Sequence, residues 1–356
     1  MRFEKPEAGG DVDRGFGRID FPGCQAEPPC ERMRFLEVIG PQMDSVERTV
    51  RAQLATFDPG VRAFLEYVLC SHGKRLRPAL ALLSGGAAGR LTDEHVTLGV
   101  VLEMVHLATL VHDDVIDKAD VRRGRVTPNA KWGDLTAVLV GDTIFSKALE
   151  LATSLTDGEV CRQIARAAGE VCQGEILQNR SRYDFQMSVD RYLEIVGMKT
   201  APLFRCASEL GARLAGADAG QTAALRNAGT HLGTAYQIFD DCLDLIGLEC
   251  KAGKSLGSDC DSGKLTLPLL DLLDHSTPTE RDQIGFLILS DIPGNRERLV
   301  QMAVSKGCMK RSLAVFEGLL EQALMELRYL EDSVYRMALF EFDGFFRWQF
   351  KKILKL

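Results

Sequence analysis

An acidic cluster inside an apolar helix constrains this chain more than any other feature. Asp113, Asp114 and Asp117 fall within five positions of a segment that otherwise has the pattern of a buried helix. Because a helix advances about 100° per residue, Asp113 and Asp117 lie on one face, one turn apart. Like charges at this spacing repel, and carboxylates that lose hydration are penalised further. A divalent cation removes this cost, and Mg²⁺ typically takes one or two carboxylates together with substrate phosphates. The alternative is a solvated acidic turn, which the apolar neighbours Val111 and Ile116 argue against.

The same spacing occurs a second time. Asp240, Asp241 and Asp244 repeat the pattern Asp-Asp-x-x-Asp in another apolar helical segment. One such cluster is a weak signal, but two clusters far apart in sequence predict two acidic walls that face each other across a cavity. Mg²⁺ ions held between the walls would clamp a diphosphate.

Two basic segments accompany the acidic clusters. The first contains Lys74, Arg75 and Arg77 and leads into Pro78, which suits the first turn of a helix, and helix N-termini favour anions. The second follows the first acidic cluster directly and contains Arg122, Arg123 and Arg125. Each segment fits either a phosphate site or a solvated basic turn. Their position next to carboxylates favours a site that holds a metal and an anion together.

One histidine shares a face with the first acidic cluster. His106 precedes Asp113 by seven residues, which places it within about 20° of the same helix face, two turns away. A lone histidine is more often structural, so a structural role and contact with a ligand both stay open.

The periodicity of apolar residues predicts helices throughout. Helices are expected over about 94–117, 136–151, 158–180 and 221–247, with another starting at Asp190 and amphipathic helices from 269 onward. The small residues from Gly85 to Gly89 predict a turn. Alternating β-branched patterns are nearly absent, so the fold class is all-α. The length permits one large helical domain or two smaller ones. Residues 1–33, rich in glycine, proline and mixed charge, predict a flexible extension.

Composition excludes several classes of protein. The formal net charge of −7 argues against a nucleic-acid binder. The ten cysteines are scattered, several within apolar helices, which favours reduced core residues of a cytoplasmic protein over a disulfide framework. The charged, glycine-rich N-terminus lacks the apolar core of a signal peptide, and no uncharged run reaches transmembrane length.

At this point the motifs resemble those of the trans-polyprenyl diphosphate synthase family. The resemblance rests on the order of the two basic segments, His106, the two acidic clusters, Lys199-Thr200, Gln237 and Gly263-Lys264-x-Thr266-Leu267-Pro268. It covers about residues 34–356. It implies a single all-α domain, a helical bundle around a deep central cavity, assembled as a homodimer. It also implies head-to-tail condensation of isopentenyl diphosphate with an allylic diphosphate.

The resemblance assigns roles residue by residue. It implies that isopentenyl diphosphate is held by Lys74, Arg77, His106 and Arg123. It implies that Mg²⁺ is bound by Asp113, Asp117, Asp240, Asp241 and Asp244. It implies that the allylic diphosphate is contacted by Arg122, Lys199 with its neighbour Thr200, Gln237, Lys254 and Lys264. The residues expected to carry catalysis are Asp113, Asp117, Lys199, Asp240 and Asp241.

Two departures and one specificity position accompany the resemblance. His72 stands where the family usually has a second glycine, and Cys260-Asp261-Ser262 replaces a Leu-x-Glu-like run. Neither removes a charge from the site. The family often places a floor under the growing chain five residues before the first aspartate, and short-chain enzymes tend to have an aromatic ring there. Ala108 occupies this position, which predicts a long product, beyond C20. The alternative is that Ala108 merely packs against a neighbouring helix.

Three other functions are compatible with parts of the pattern. A non-catalytic partner subunit would tend to lose acidic motifs, and this chain keeps both. A terpene cyclase would not need the basic site around Lys74 and Arg77. A helical metal-dependent phosphohydrolase, prompted by His112-Asp113, would need several further metal-binding histidines.

Overall fold

The computed structural model describes residues 34–71, 73–246, 258–290, 292 and 294–354. The predicted N-terminal extension, His72 and Lys254 lie outside these residues. The described α-helices and strands run, in chain order, as follows: α1 Gly40–Gln53, α2 Arg62–Leu69, α3 Leu76–Ala88, α4 Asp93–Ile116, β1 Val121–Arg122, β2 Arg125–Val126, α5 Pro128–Trp132, α6 Asp134–Thr153, α7 Gly158–Arg180, α8 Val189–Lys199, α9 Ala201–Leu214, α10 Ala219–Ile246, α11 Ser258–Asp261, α12 Leu267–Asp274, α13 Pro278–Leu289, α14 Asn295–Ser305, α15 Cys308–Leu327 and α16 Val334–Leu354. Short 3₁₀ helices span Arg34–Ile39 and Leu54–Thr56. The all-α prediction is confirmed.

Helix α4 is the centre of the bundle. Its residues from Leu98 to Val105 are buried on every side, because α1, α3, α6 and α9 all pack against it. A helix that is apolar all round belongs in a core. Among the described helices, α4 is also the one long and apolar enough to cross a bilayer, and 67 % of that apolar window is buried inside the protein.

The buried apolar side chains form one contiguous cluster from Phe35 to Phe350. The C-terminal helix α16 closes this cluster with a row of aromatic rings. Phe342 and Phe345 pack edge-on against Phe35, and Phe350 packs against Phe316 at 4.5 Å between ring centroids. The two ends of the described chain are therefore joined through the core.

The turn predicted at Gly85–Gly89 is wrong, because α3 continues through this stretch to Ala88. The glycines are there for close packing. A Cβ on Gly85 would lie 2.4 Å from the His95 ring, and one on Gly86 would lie 2.4 Å from the Tyr335 ring. Small residues thus mark a helix surface that neighbouring rings approach, and a helix tolerates them at a cost of about 1 kcal/mol each.

A tight hairpin interrupts the helices directly after α4. Strands β1 and β2 pair antiparallel, with Val121 opposite Val126 and Arg122 opposite Arg125. The two linking residues, Arg123 (φ +52°) and Gly124 (φ +70°), both adopt the left-handed conformation that such two-residue turns require. The hairpin directs the second basic segment back towards the end of α4.

Candidate active site

The first acidic wall lies at the C-terminal end of α4. Asp113 is partly exposed, while the middle aspartate, Asp114, is buried. Asp114 is bound by Arg122 of the hairpin, with Nε of Arg122 2.5 Å from Oδ1. Burial raises the pKa of Asp113 to about 6, against the opposing influence of Lys199 and with a further rise from Glu175. The wall thus consists of one carboxylate that anchors the hairpin and two partly exposed ones, Asp113 and Asp117, of which Asp117 is paired with Lys264 and Arg182.

The second acidic wall lies near the end of α10. Asp240 is partly exposed, whereas Asp241 and Asp244 are each 2 % exposed. Both oxygens of Asp241 accept hydrogen bonds, from the Tyr192 hydroxyl at 2.6 Å and from Nε2 of Gln237 at 2.7 Å. Burial, and then the charge of Asp259, raise the pKa of Asp241 to about 7.

Lys264 brings the two acidic walls together. Its buried ammonium donates a hydrogen bond of 2.7 Å to Oδ1 of Asp117 and lies 3.7 Å from Oδ1 of Asp259. The backbone N–H of Asp259 in turn donates to Oδ2 of Asp244 at 3.1 Å. The predicted walls therefore lie near each other in space, although about 130 residues of sequence separate them.

Lys199 faces the first wall from the junction between α8 and α9. Its Nζ lies 2.6 Å from Oε2 of Glu175 and donates to Oε1 of Gln178 at 2.8 Å. Burial lowers the pKa of Lys199, but the charges of Asp113 and Glu175 outweigh it, and the pKa ends above its ordinary value. The group is a permanent cation beside Asp113. The hydroxyl of the next residue, Thr200, donates to Oε1 of Gln237.

The basic site lies beside the acidic walls and has a buried floor. Arg77 is 8 % exposed and its guanidinium carbon is 4.9 Å from the centroid of the Phe204 ring. Burial lowers the pKa of Arg77 to about 10. His106 has a pKa well below its ordinary value, because of burial and then of the positive charges of Arg77 and Arg123. His106 is therefore a neutral imidazole among cations.

The rim of the basic site is open to solvent. Lys74 and Arg123 are both exposed. Nζ of Lys74 lies 5.4 Å from the centroid of the Phe345 ring on α16, and Arg123 approaches Gly73, where an added Cβ would lie 2.5 Å from its Nη1. Exposed cations above a cationic floor attract an anion.

Arg75 differs from its basic neighbours. It adopts a left-handed backbone conformation (φ +49°) before α3, and its guanidinium lies 2.6 Å from both Glu47 and Glu103. It also donates to the backbone carbonyl of Ser71 at 3.0 Å. Arg75 thus ties the loop to α1 and α4, and so orients Lys74 and Arg77.

Sequence reasoning missed Glu103 and Tyr192. Glu103 is a buried carboxylate inside the apolar run of α4, and its charge acts on Arg75, Arg77 and Arg123. A single charged residue within a long apolar stretch of a helix indicates that an oppositely charged side chain is buried beside it. Tyr192 carries no comparable signal, because its partner Asp241 lies 49 residues away.

Two predicted site residues, Lys254 and Ala108, stay predictions. Lys254 lies outside the described residues. Ala108 is 1 % exposed and lies about 140° around the helix axis from Asp113.

His112, which prompted the phosphohydrolase hypothesis, points to α6, with Nε2 3.4 Å from Oδ1 of Asp142. In the part of the chain that the structure describes, no three histidine, cysteine or acidic side chains converge to hold a metal ion by themselves.

Comparison with known proteins agrees with this geometry. The polyprenyl synthetase family model matches residues 58–304. Octaprenyl diphosphate synthase of Escherichia coli is 33 % identical over 307 residues, covering 85 % of this chain and 94 % of the relative. All-trans-nonaprenyl-diphosphate synthase (geranyl-diphosphate specific) of Rhodobacter capsulatus is 36 % identical over 78 % of this chain and 86 % of its own length.

Solved structures show the same relationship. A polyprenyl synthase from Caulobacter crescentus, complexed with calcium and isoprenyl diphosphate, superposes with a TM-score of 0.85 at 32 % identity, over 90 % of this chain and 99 % of that one. A decaprenyl diphosphate synthase from Rhodobacter capsulatus gives a TM-score of 0.83 at 30 % identity, over 90 % and 99 %. On sequence and structure alike, the chain belongs to the polyprenyl synthetase family.

Proposed function

We propose that this protein is a Mg²⁺-dependent prenyltransferase that condenses isopentenyl diphosphate head to tail with an allylic diphosphate and releases a long all-trans polyprenyl diphosphate. One observation carries the proposal. The site combines an anion site rich in cations, around Arg77 and His106, with a separate acidic site in which carboxylates lie next to cations. Two diphosphates that differ in chemical role match this division.

The acidic site suits the diphosphate that leaves. Lys199 and Arg122 lie near Asp113, and Lys264 binds Asp117. A diphosphate in this site would therefore contact positive groups of the protein as well as bound metal ions. When bound, Mg²⁺ neutralises the charge that grows on the leaving diphosphate. Lys199, held by Glu175 and permanently charged, adds to this stabilisation.

The donor set fits Mg²⁺. The predicted ligands supply only hard oxygen atoms. Asp113, Asp117 and Asp240 are partly exposed and offer theirs to the cavity, whereas buried Asp241 and Asp244 add negative charge behind them. Burial raises the pKa of Asp113 and of Asp241. Carboxylates of raised pKa gain from a nearby cation. Mg²⁺ commonly uses one or two protein carboxylates and takes its remaining ligands from phosphates and water. Among the residues that the structure describes, no three side chains converge on a metal position, which is consistent with such coordination.

The basic site suits the diphosphate that stays. Buried Arg77, neutral His106 and the exposed cations Lys74 and Arg123 offer hydrogen-bond donors to a diphosphate. The buried carboxylate of Glu103 balances part of this positive charge, since it pairs with Arg75 and its charge acts on Arg77 and Arg123. A diphosphate bound here completes the charge balance and leaves the apolar end of isopentenyl diphosphate free to meet the allylic carbon.

The carbon–carbon bond forms in apolar surroundings. Loss of diphosphate leaves an allylic carbocation, which water would quench, so the chain of the substrate needs a dry cavity. Among the described residues near the site we identify no dedicated protein base, and the released diphosphate accepts the final proton.

We also propose a homodimer, because α6 presents apolar side chains to solvent. Leu135 is 76 % exposed, Leu139 is 56 % and Val138 is 37 %, and they share one face of the helix. Sedimentation velocity is expected to give twice the chain mass of 39.2 kDa, and Leu139→Glu is expected to give a monomer. A monomeric wild type would contradict the homodimer.

A cytoplasmic location is proposed as well. The seven cysteines among the described residues are all free thiols, as expected in a reducing compartment. Cell fractionation tests this directly.

Incubation with labelled isopentenyl diphosphate and an allylic primer tests the activity itself. Formation of an extended prenyl diphosphate that stops in excess chelator supports the proposal. A cyclised hydrocarbon would indicate a terpene cyclase, and release of free phosphate without chain growth would indicate a phosphohydrolase. Asp113→Asn is the control for the acidic site, with an expected loss of about 10²–10³ in rate.

A further inference from the structure

Tyr192 is a buried tyrosine that contacts the second acidic wall. It lies on α8, is 2 % exposed, and its hydroxyl donates a hydrogen bond of 2.6 Å to Oδ2 of Asp241 on α10. One phenol therefore joins α8 to α10 at Asp241.

The remaining oxygen of Asp241 is held from the opposite side. Oδ1 accepts from Nε2 of Gln237 at 2.7 Å, and Oε1 of Gln237 accepts from the hydroxyl of Thr200. All four side chains of this network are buried, each at most 9 % exposed. The donors and acceptors match from Thr200 through Gln237 and Asp241 to Tyr192, so the network has one consistent orientation.

Asp240 has the opposite surroundings. It is the residue before Asp241 on α10, about 100° away from it around the helix axis, and it is partly exposed. Its charge acts on Arg122, whose guanidinium is bound to the first wall. Asp240 therefore faces the first wall while Asp241 faces the interior.

We propose that Tyr192 is a positioning residue for the metal-dependent loss of diphosphate from the allylic substrate. The inference rests on the proposed function. By holding Asp241, the phenol fixes the turn of α10 that presents Asp240 to Mg²⁺. Through Gln237 the same network fixes Thr200, and with it the helix junction that carries Lys199. Asp241 acts through this geometry and through its charge, because both of its oxygens already accept hydrogen bonds from the protein.

Tyr192→Phe tests the proposal, because it removes the hydroxyl and keeps the ring. Loss of an outer-shell partner typically costs 10–100-fold in metal affinity or activity. We expect the Mg²⁺ concentration for half-maximal activity to rise about 10-fold or more and kcat to fall, while KM for isopentenyl diphosphate stays unchanged. Calorimetry with a non-reactive allylic bisphosphonate, titrated at several Mg²⁺ concentrations, is expected to show the same shift without turnover.

Tyr329→Phe is the matched control. Tyr329 is 65 % exposed and lies after α15, so this variant is expected to match the wild type in both measurements. If Tyr192→Phe does not fold, Thr200→Val at the other end of the network is expected to raise the Mg²⁺ requirement in the same direction.

Three results overturn the inference: an unchanged Mg²⁺ requirement in a folded Tyr192→Phe, an equal rise in KM for isopentenyl diphosphate, or the same defect in Tyr329→Phe. A wild type that forms no prenyl product would overturn the proposed function. The calorimetric comparison then still decides whether the hydroxyl supports Mg²⁺-dependent binding of the bisphosphonate.

Discussion

Replacing Glu103 by Gln tests whether the loop of the basic site is anchored from inside the core. The ion pair between Arg75 and Glu103 is 2.6 Å long, with the two side chains 7 % and 3 % exposed. Removing one partner of a buried pair costs about 3–5 kcal/mol, because the other charge is left uncompensated. Arg75 keeps Glu47 and a backbone carbonyl, so the lower end of the range applies, and we expect the free energy of unfolding to fall by about 3 kcal/mol.

Glu47→Gln is the control, since Glu47 binds the same guanidinium at the same distance. Its side chain is 39 % exposed, and pairs open to solvent contribute about 0–1 kcal/mol. Urea unfolding followed by circular dichroism measures both variants, with reversibility checked by dilution. Equal losses, or a larger loss for Glu47→Gln, would refute the reasoning that burial makes Glu103 the main anchor.

Three further predictions concern the ligands. Burial raises the pKa of Asp113 from its ordinary value to about 6, so the folded protein loses stability as pH rises from about 4 through 6. Without metal, Asp113→Asn is therefore expected to be more stable than the wild type by about 1–3 kcal/mol at pH 8 and equally stable near pH 3.5. Thermal melts at the two pH values measure this difference. The same difference at both values would contradict a raised pKa at Asp113. Lys74→Ala is expected to weaken binding of isopentenyl diphosphate by about 10-fold and to leave binding of the allylic substrate nearly unchanged. Equal losses of affinity for both ligands in a titration would argue against two separate sites. Ala108→Phe adds bulk that a packed helix cannot easily absorb but that an open tunnel accepts. A folded, active variant is therefore expected to release shorter prenyl diphosphates. An unchanged product pattern by chromatography would show that Ala108 does not lie under the growing chain.

Local patterns sufficed for the helices and for the members of each acidic cluster. The helix predicted over 158–180 coincides with α7, where Asp157 caps the first turn by accepting from the backbone N–H of Glu159. The prediction of a turn at Gly85–Gly89 failed because a glycine in a sequence can mark either a turn or a close contact with a ring. Only the packing of α4 and α16, which carry the rings of His95 and Tyr335, distinguishes the two.

Long-range partners were beyond the reach of such patterns. Arg75 looked equivalent to Lys74 and Arg77, yet it serves as an anchor because Glu47 and Glu103 meet it in space, each 28 residues away in sequence. The spacing of the second cluster did not distinguish Asp240 from Asp241 either. Their difference comes from Tyr192, whose helix is brought to α10 only by the complete fold.

The ion pair between Lys264 and Asp117 neutralises part of the first acidic wall before any metal is present. Nζ of Lys264 lies 2.7 Å from Oδ1 of Asp117, and a nitrogen of Arg182 lies 3.5 Å from the same oxygen. These two cations reduce the repulsion between Asp117 and Asp113 that the spacing of the motif creates. A Mg²⁺ ion at this oxygen would compete with both of them, so its affinity would be lower than for an unpaired carboxylate.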